Sequence, residues 1–454
     1  MAERLSEYSA SVSYSDLDER VVLEAKKRLV DSIGCAIGAF REGPVAAARG
    51  LASKNYRTGD STILGTKVAV TPDMATLVNG LMVRYFDFND TYLSKEPAHP
   101  SDNIAPCLAV GEMEGVSGKD LILAVVLAYE IQCRLCDAAS LRTRGWDHVC
   151  YGLVSSALGA GKALRLSKKE TTQAVNISLN SHLAMRQVRA GELSDWKGFS
   201  FANAARNAVV SVLLARAGIT GPSPVFEGEM GFFSQVSGPF DLPFEEFGRR
   251  GKSFELAKTF LKFYPAEYHA QTAIEAALEA RKEMGEDRRI SSVEVETHEA
   301  GYSILAKDRE KWAPSTRETA DHSLPYIVAA ALLKGRIDVR AYAGRNLRDP
   351  ELLSLLGRIT VREDGGMTAG YPGRFGNRIT VTLDDGTVIR KQADTPRGHP
   401  GNPMSVEEIE AKFRGLVKRS LSGRRADEVL GCLWDFERVK DVSALPAMCV
   451  AKAG

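Results

Sequence analysis

Through the first 260 positions the apolar residues recur at the spacing of helices. Val21, Val22, Ala25, Leu29, Ile33, Ala36 and Phe40 form one such stripe, and Ser15 with Asp18 supplies a capping pair ahead of it. Thr71 and Pro72 give a cap and a first-turn proline, after which Met74, Leu77, Val78, Leu81, Met82 and Tyr85 line one helix face. Further helices are predicted at about 118–138, 151–164, 167–181 and 201–217, until Gly221-Pro-Ser-Pro224 breaks the pattern.

Beyond residue 260 the period changes. Ser292 to Thr297 alternates as a strand, and Ile379, Val381 and Leu383 alternate into Asp384-Asp-Gly-Thr387, a hairpin signal before Val388 to Arg390. Residues 322–333 and 349–356 read as helices between these strands, and Ser405 with Glu408 forms a capping box for a later one. The expected fold is mainly α: a large all-helical domain built from both chain ends, residues 1–260 and 399–454, with an α+β lid domain, 261–398, inserted between them.

Composition narrows the function classes. The 59 basic and 58 acidic residues nearly cancel, which gives no electrostatic footprint for nucleic acid or an anionic membrane, so an anion site must be local. The apolar run from Leu121 to Tyr129 stops at Glu130, short of the roughly 20 residues of a membrane span. No basic-then-apolar leader follows Met1, and a cytoplasmic protein with reduced thiols is expected. Cys133 and Cys136, the one Cys-x-x-Cys among seven cysteines, fall in a helical run and read as packing residues. Ala160-Gly-Lys-Ala163 lacks the first glycine and the hydroxyl residue of a phosphate loop, and no dinucleotide-binding glycine fingerprint follows a strand.

Five segments concentrate reactive side chains. Asp87, Asp90 and Thr91 precede His99-Pro-Ser-Asp-Asn103 where a helix gives way to a proline-bounded loop. His148 follows Trp146 and Asp147; Arg186, Arg189 and Lys197 surround Trp196; Lys262, His269 and Gln271 sit at the boundary between the helical and mixed regions; Asp321, His322 and Tyr326 open a helix. Each alone also reads as a solvated turn, a cap or a locally satisfied histidine. His182, His298 and His399 read as structural. Taken together, the clusters suit removal of a proton beside a carboxylate. That reaction needs cations to stabilise the enediolate, plus an acid and a base for the leaving hydroxyl and the carbon-bound proton.

The motifs Asp87-Phe-Asn-Asp-Thr91, His99-Pro-Ser-Asp-Asn103, Trp146-Asp-His148, Trp196-Lys-Gly198, Tyr264-Pro-Ala-Glu-Tyr-His269, Asp321-His-Ser-Leu-Pro-Tyr326 and Gly398-His-Pro-Gly-Asn-Pro-Met404 resemble those of the MmgE/PrpD family, in its order. The resemblance implies a helical domain with an α+β lid, a site between them, and no iron–sulfur cluster; the lack of a convincing cysteine or histidine ligand set predicts catalysis without a metal, and no cofactor is expected. The resemblance also implies a small polycarboxylate as substrate, and a homodimer. Asp87, His99, His148, Lys197, Lys262, His269 and Tyr326 are the catalytic candidates, with Asp90, Thr91, Arg186, Gln271 and His322 as substrate-binding candidates. The strings around His99 and His269 resemble the 2-methylcitrate dehydratases most, which implies elimination of water to give 2-methylaconitate, citrate being a second candidate substrate. Decarboxylation of cis-aconitate and epimerisation of iminodisuccinate are the alternatives within the family. A non-catalytic polycarboxylate-binding protein is the alternative outside enzymes.

Overall fold

Two hydrophobic cores organise the protein, whose computed structural model describes residues 1–285 and 289–452. The first runs from Ala2 to Leu261 and resumes from Met404 to Cys449. Its helices are α1 (Ala2–Ser11), α2 (Glu19–Ala39), α3 (Gly43–Asn55), α4 (Pro72–Arg84), α5 (Ile104–Glu114), α6 (Gly118–Ala138), α7 (Val149–Ala163), α8 (Lys168–Ser181) and α9 (Trp196–Arg216). A two-residue β pair, β1 (Ser61–Thr62) and β2 (Ala69–Val70), interrupts them. The fold is mainly α, as the apolar spacing predicts.

Local details differ from the expected ones. Asp18 alone caps α2, its carboxylate accepting from the Val21 amide at 2.8 Å. Ser15 instead bonds Ser13, which closes a capping box with Asp16 on the preceding turn. Helix α9 begins five residues before the expected 201, because Gly198 and Ser200 carry no apolar signal. Gly198 sits at a tight crossing: a β-carbon there would meet the tip of the Leu81 side chain of α4 at 3.1 Å, and one on Gly80 would meet Ala202 of α9 at 3.0 Å. This close crossing sets the start of α9 beside the end of α4. Lys162 ties α7 to the N-terminal segment, donating to the carbonyls of Ser9 at 2.7 Å and Val12 at 2.6 Å. Cys133 and Cys136 are free and buried in the core.

The second core, Ala266 to Ile389, lies against a four-stranded sheet. After α10 (Gln271–Met284) come β3 (Ile290–Thr297), α11 (Glu299–Leu305), α12 (Arg317–Ala320), α13 (Leu324–Lys334) and α14 (Pro350–Leu356). The chain continues through β4 (Ile359–Glu363), α15 (Gly365–Gly370), β5 (Asn377–Leu383) and β6 (Val388–Ala393). The sheet order is β4-β3-β5-β6, with only β3 and β4 parallel. The β5–β6 hairpin turns through Gly386 at φ +85°, a conformation that glycine takes without strain. The chain then rejoins the first core through α16 (Val406–Val417), opened by the Ser405–Glu408 capping box, α17 (Gly423–Trp434) and α18 (Ala444–Met448). No described helix is long and apolar enough to cross a membrane.

Candidate active site

A cavity of about 220 Å³ opens between the two cores. Its floor is built where α4 ends. Asp87, three residues past the helix, takes φ +49°, a left-handed conformation that aspartate tolerates better than branched residues do, and its side chain turns inward to full burial. Arg84 pairs with one carboxylate oxygen, and Lys262 donates to that oxygen at 2.9 Å and to the Asp87 carbonyl at 2.8 Å. Lys197 lies 3.5 Å and His322 Nε2 3.6 Å from the other oxygen. Burial alone would raise the pKa of Asp87, but Arg84, Lys262 and Lys197 hold it well below the usual carboxylate range.

The α4–α9 crossing delivers Lys197 to this point. Its ammonium also lies 3.1 Å from Asp321 Oδ1 and 3.2 Å from His322 Nδ1. Asp87, Asp321 and His322 are the described group close enough together to hold a metal ion, and an ammonium already stands among them.

Besides His322, whose Nδ1 lies 2.6 Å from Asp321, three histidines face the cavity, each with one ring nitrogen fixed. His99 Nδ1 is 2.7 Å from the Asp90 carbonyl, which can only accept, so Nδ1 carries the proton. Its Nε2 then accepts from Arg84 at 2.9 Å. His148 Nδ1 donates to Asp147 at 2.9 Å, leaving Nε2 with Arg189 3.5 Å away. Asp147 is in turn paired with Arg189 at 2.9 Å and accepts from Ser200 at 3.2 Å. Burial, the leading cause, lowers the pKa of both His99 and His148 and favours neutral rings. His269 Nδ1 donates to Glu267 at 2.8 Å, and its Nε2 is 3.4 Å from the Tyr371 hydroxyl. Burial opposes the charge on Glu267, but His269, His322 and Lys262 together outweigh it and bring the pKa down to about 2.

The structure brings together Asp87, Thr91, His99, His148, Arg186, Lys197, Lys262, His269 and His322. It seats three other sequence candidates elsewhere. Tyr326 is fully buried within the second core, where its hydroxyl donates to the Ala341 carbonyl at 2.8 Å. Gln271 spends its amide on the backbone of Tyr264 and Ala266. Asp90 lies behind the wall, accepting from Tyr129 at 2.7 Å and from the Ser101 amide at 3.0 Å, while its carbonyl orients His99.

Residues not singled out from sequence complete the cavity: Arg84, Arg142, Glu267, Lys311 and Tyr371. Tyr371 stacks on His298 at 4.8 Å, and His298 itself caps α11 by accepting from the Gly301 amide. In total seven cationic side chains line the cavity against Asp87, Glu267 and Asp308, so the site has a local positive surplus although the chain is nearly neutral. A larger cavity of about 340 Å³ along α16 is walled by Phe86, Phe88, Phe263 and Met404 and contains no histidine.

A mainly α scaffold holding a small cationic cleft with carboxylate-oriented histidines defines an enzyme for a small anionic substrate. The chain belongs to the MmgE/PrpD family: residues 3–245 match the MmgE/PrpD N-terminal domain and residues 264–435 the MmgE/PrpD C-terminal domain. Among its relatives, the 2-methylcitrate dehydratase of Cupriavidus necator is 30% identical over 92% of this chain and 90% of its own length. The 2-methylcitrate dehydratase of Escherichia coli is 28% identical over 91% of this chain and 89% of its own. The mitochondrial 2-methylcitrate dehydratase of Yarrowia lipolytica is 29% identical over 88% of this chain and 81% of its own.

Proposed function

We propose that this protein is a carbon–oxygen lyase that eliminates water from 2-methylcitrate to give 2-methylaconitate, without a metal. The observation that carries the reading is the pair His148 and His269, which line one cationic cavity, each with Nδ1 held by its own carboxylate and Nε2 near only a side chain of that same lining, Arg189 or Tyr371. Relatives bearing the name of that dehydratase support the choice of substrate.

The chemistry follows from the positions. His148, kept neutral by burial, takes the proton from the carbon that bears the methyl group and a carboxylate. The electron pair becomes the new double bond, and charge building on the carboxylate is stabilised by Lys197, Lys262 and Arg84. His269 acts in its doubly protonated form: Nδ1–H stays on Glu267, which fixes the ring, and the Nε2 proton goes to the departing tertiary hydroxyl, so that water leaves and the ring is left neutral. His99 orients Arg84, and its own Nε2 becomes free as a base only when Arg84 turns to a substrate carboxylate. Asp87 holds the three cations in register.

Purified protein offered 2-methylcitrate, citrate, cis-aconitate and iminodisuccinate separately tests this reading. An alkene from 2-methylcitrate, with a slower one from citrate and no carbon dioxide from cis-aconitate, is expected. Carbon dioxide release without methylcitrate dehydration, or inversion of iminodisuccinate alone, would assign another reaction.

A further inference from the structure

We propose that Lys311 is a substrate-carboxylate anchor that, with Arg142 and Arg186, makes the cleft select a tricarboxylate over a dicarboxylate. The inference rests on reading the cavity as a carboxylate site and adds what sets the number of carboxylates.

Of the seven cations facing the cavity, four are already matched by protein carboxylates. Arg84 and Lys262 pair with Asp87, Lys197 with Asp321 and Asp87, and Arg189 with Asp147. Among the described residues, Arg142, Arg186 and Lys311 have no carboxylate within the 4.0 Å of an ion pair. Arg142 is exposed and Arg186 is half-buried, so water can serve them. Lys311 is only 4% exposed. Its ammonium is not among the atoms sealed from solvent, so the little that it exposes faces the cavity; a nearly buried ammonium without an anion is costly, and an anion bound in the cavity would relieve that cost.

The backbone leaves Lys311 little freedom. The Lys311 amide donates to the Asp308 carbonyl at 3.1 Å, and the Trp312 indole donates to the Ala306 carbonyl at 2.7 Å. The Ser323 hydroxyl, which also caps α13, donates to the Lys311 carbonyl. Burial, and then Lys197, lower the pKa of Lys311; Asp321, Asp308 and Glu267, near but unpaired, offset this only in part, so the charge lacks a full counterion. Arg142 and Arg186 come to the cavity from the part of the chain that builds the first core, Lys311 from the part that builds the second. A ligand with three carboxylates can satisfy all three cations at once and bridge the two parts; a dicarboxylate leaves one unmatched.

The test uses tricarballylate, a tricarboxylate with no hydroxyl to eliminate, and glutarate, a dicarboxylate, in calorimetry with the full chain. Wild type should prefer tricarballylate, and Lys311→Met should lose roughly 10- to 100-fold in tricarballylate affinity while changing glutarate affinity by less than about threefold. Without ligand, Lys311→Met should melt at or above the wild-type temperature, because it removes an unmatched buried charge; a structural lysine would give the opposite shift. Lys311→Arg should recover part of the affinity. Unchanged tricarballylate binding in Lys311→Met, a destabilised unliganded variant, or no tricarballylate binding by wild type would overturn the proposal. Selective binding through Lys311 by a protein that leaves 2-methylcitrate intact would uphold this inference and reject the dehydration reading.

Discussion

Lys262 grips Asp87 twice, through the backbone carbonyl at 2.8 Å and the carboxylate at 2.9 Å, and so joins the end of α4 to the chain entering the second core. With Arg84 and Lys197 on the same carboxylate, the charge of Asp87 is what makes three buried cations tolerable. Asp87→Ala should therefore cost about 3–5 kcal/mol of stability in urea unfolding. Lys262→Met should cost less, since Asp87 keeps two partners. Equal, small effects of both changes would show that the cluster is not held by Asp87.

Asp147 accepts the Nδ1 proton of His148 and leaves Nε2 basic. Asp147→Asn removes that preference for the tautomer. Its kcat should fall at least ~10- to 100-fold, with KM changed only severalfold. A KM effect without a kcat effect would place His148 in binding rather than proton transfer.

The pH profile follows from the same burial. The base must be neutral to accept a proton, and burial puts the pKa of His148, like that of His99, below the ordinary 6.5. Activity should thus be lost only as pH falls through a value below 6.5, so the acid limb of kcat/KM in the free enzyme should lie there. An acid limb centred above 6.5 would contradict a buried neutral histidine as base.

Two tyrosines should behave oppositely. Tyr326→Phe loses a hydrogen bond to Ala341 within the second core and should cost about 1–3 kcal/mol of stability with kcat intact. Tyr371→Phe alters a hydroxyl 3.4 Å from His269 and should lower kcat while leaving stability nearly unchanged. Loss of turnover in the Tyr326 variant alone would restore that residue to the site.

Much of the scaffold was legible because helices and strands announce themselves by local period: the Ser405–Glu408 box and the β5–β6 turn sit where the residues place them. The start of α9 was not, since Gly198 sits at a tight crossing with α4, a long-range fact. The same divide runs through the site. Asp87, His148 and Lys197 stand in dense motifs, and the structure gathers them. Lys311 stands in Arg309-Glu-Lys-Trp312, a segment not singled out from the sequence; the Ser323 hydroxyl on its carbonyl helps bury it, and no local pattern contains that. Tyr326 shows the converse limit: a motif carries a position along the chain, but the start of α13 points this side chain toward Ala341.

The most direct test of the account is turnover of 2-methylcitrate by extensively chelated protein, beside His148→Gln, with products identified by nuclear magnetic resonance. The account expects 2-methylaconitate at the untreated rate from the chelated wild type, and a variant that binds substrate but forms almost no alkene. Activity lost on chelation and restored by a metal, or alkene formation by His148→Gln at the wild-type rate, would contradict it.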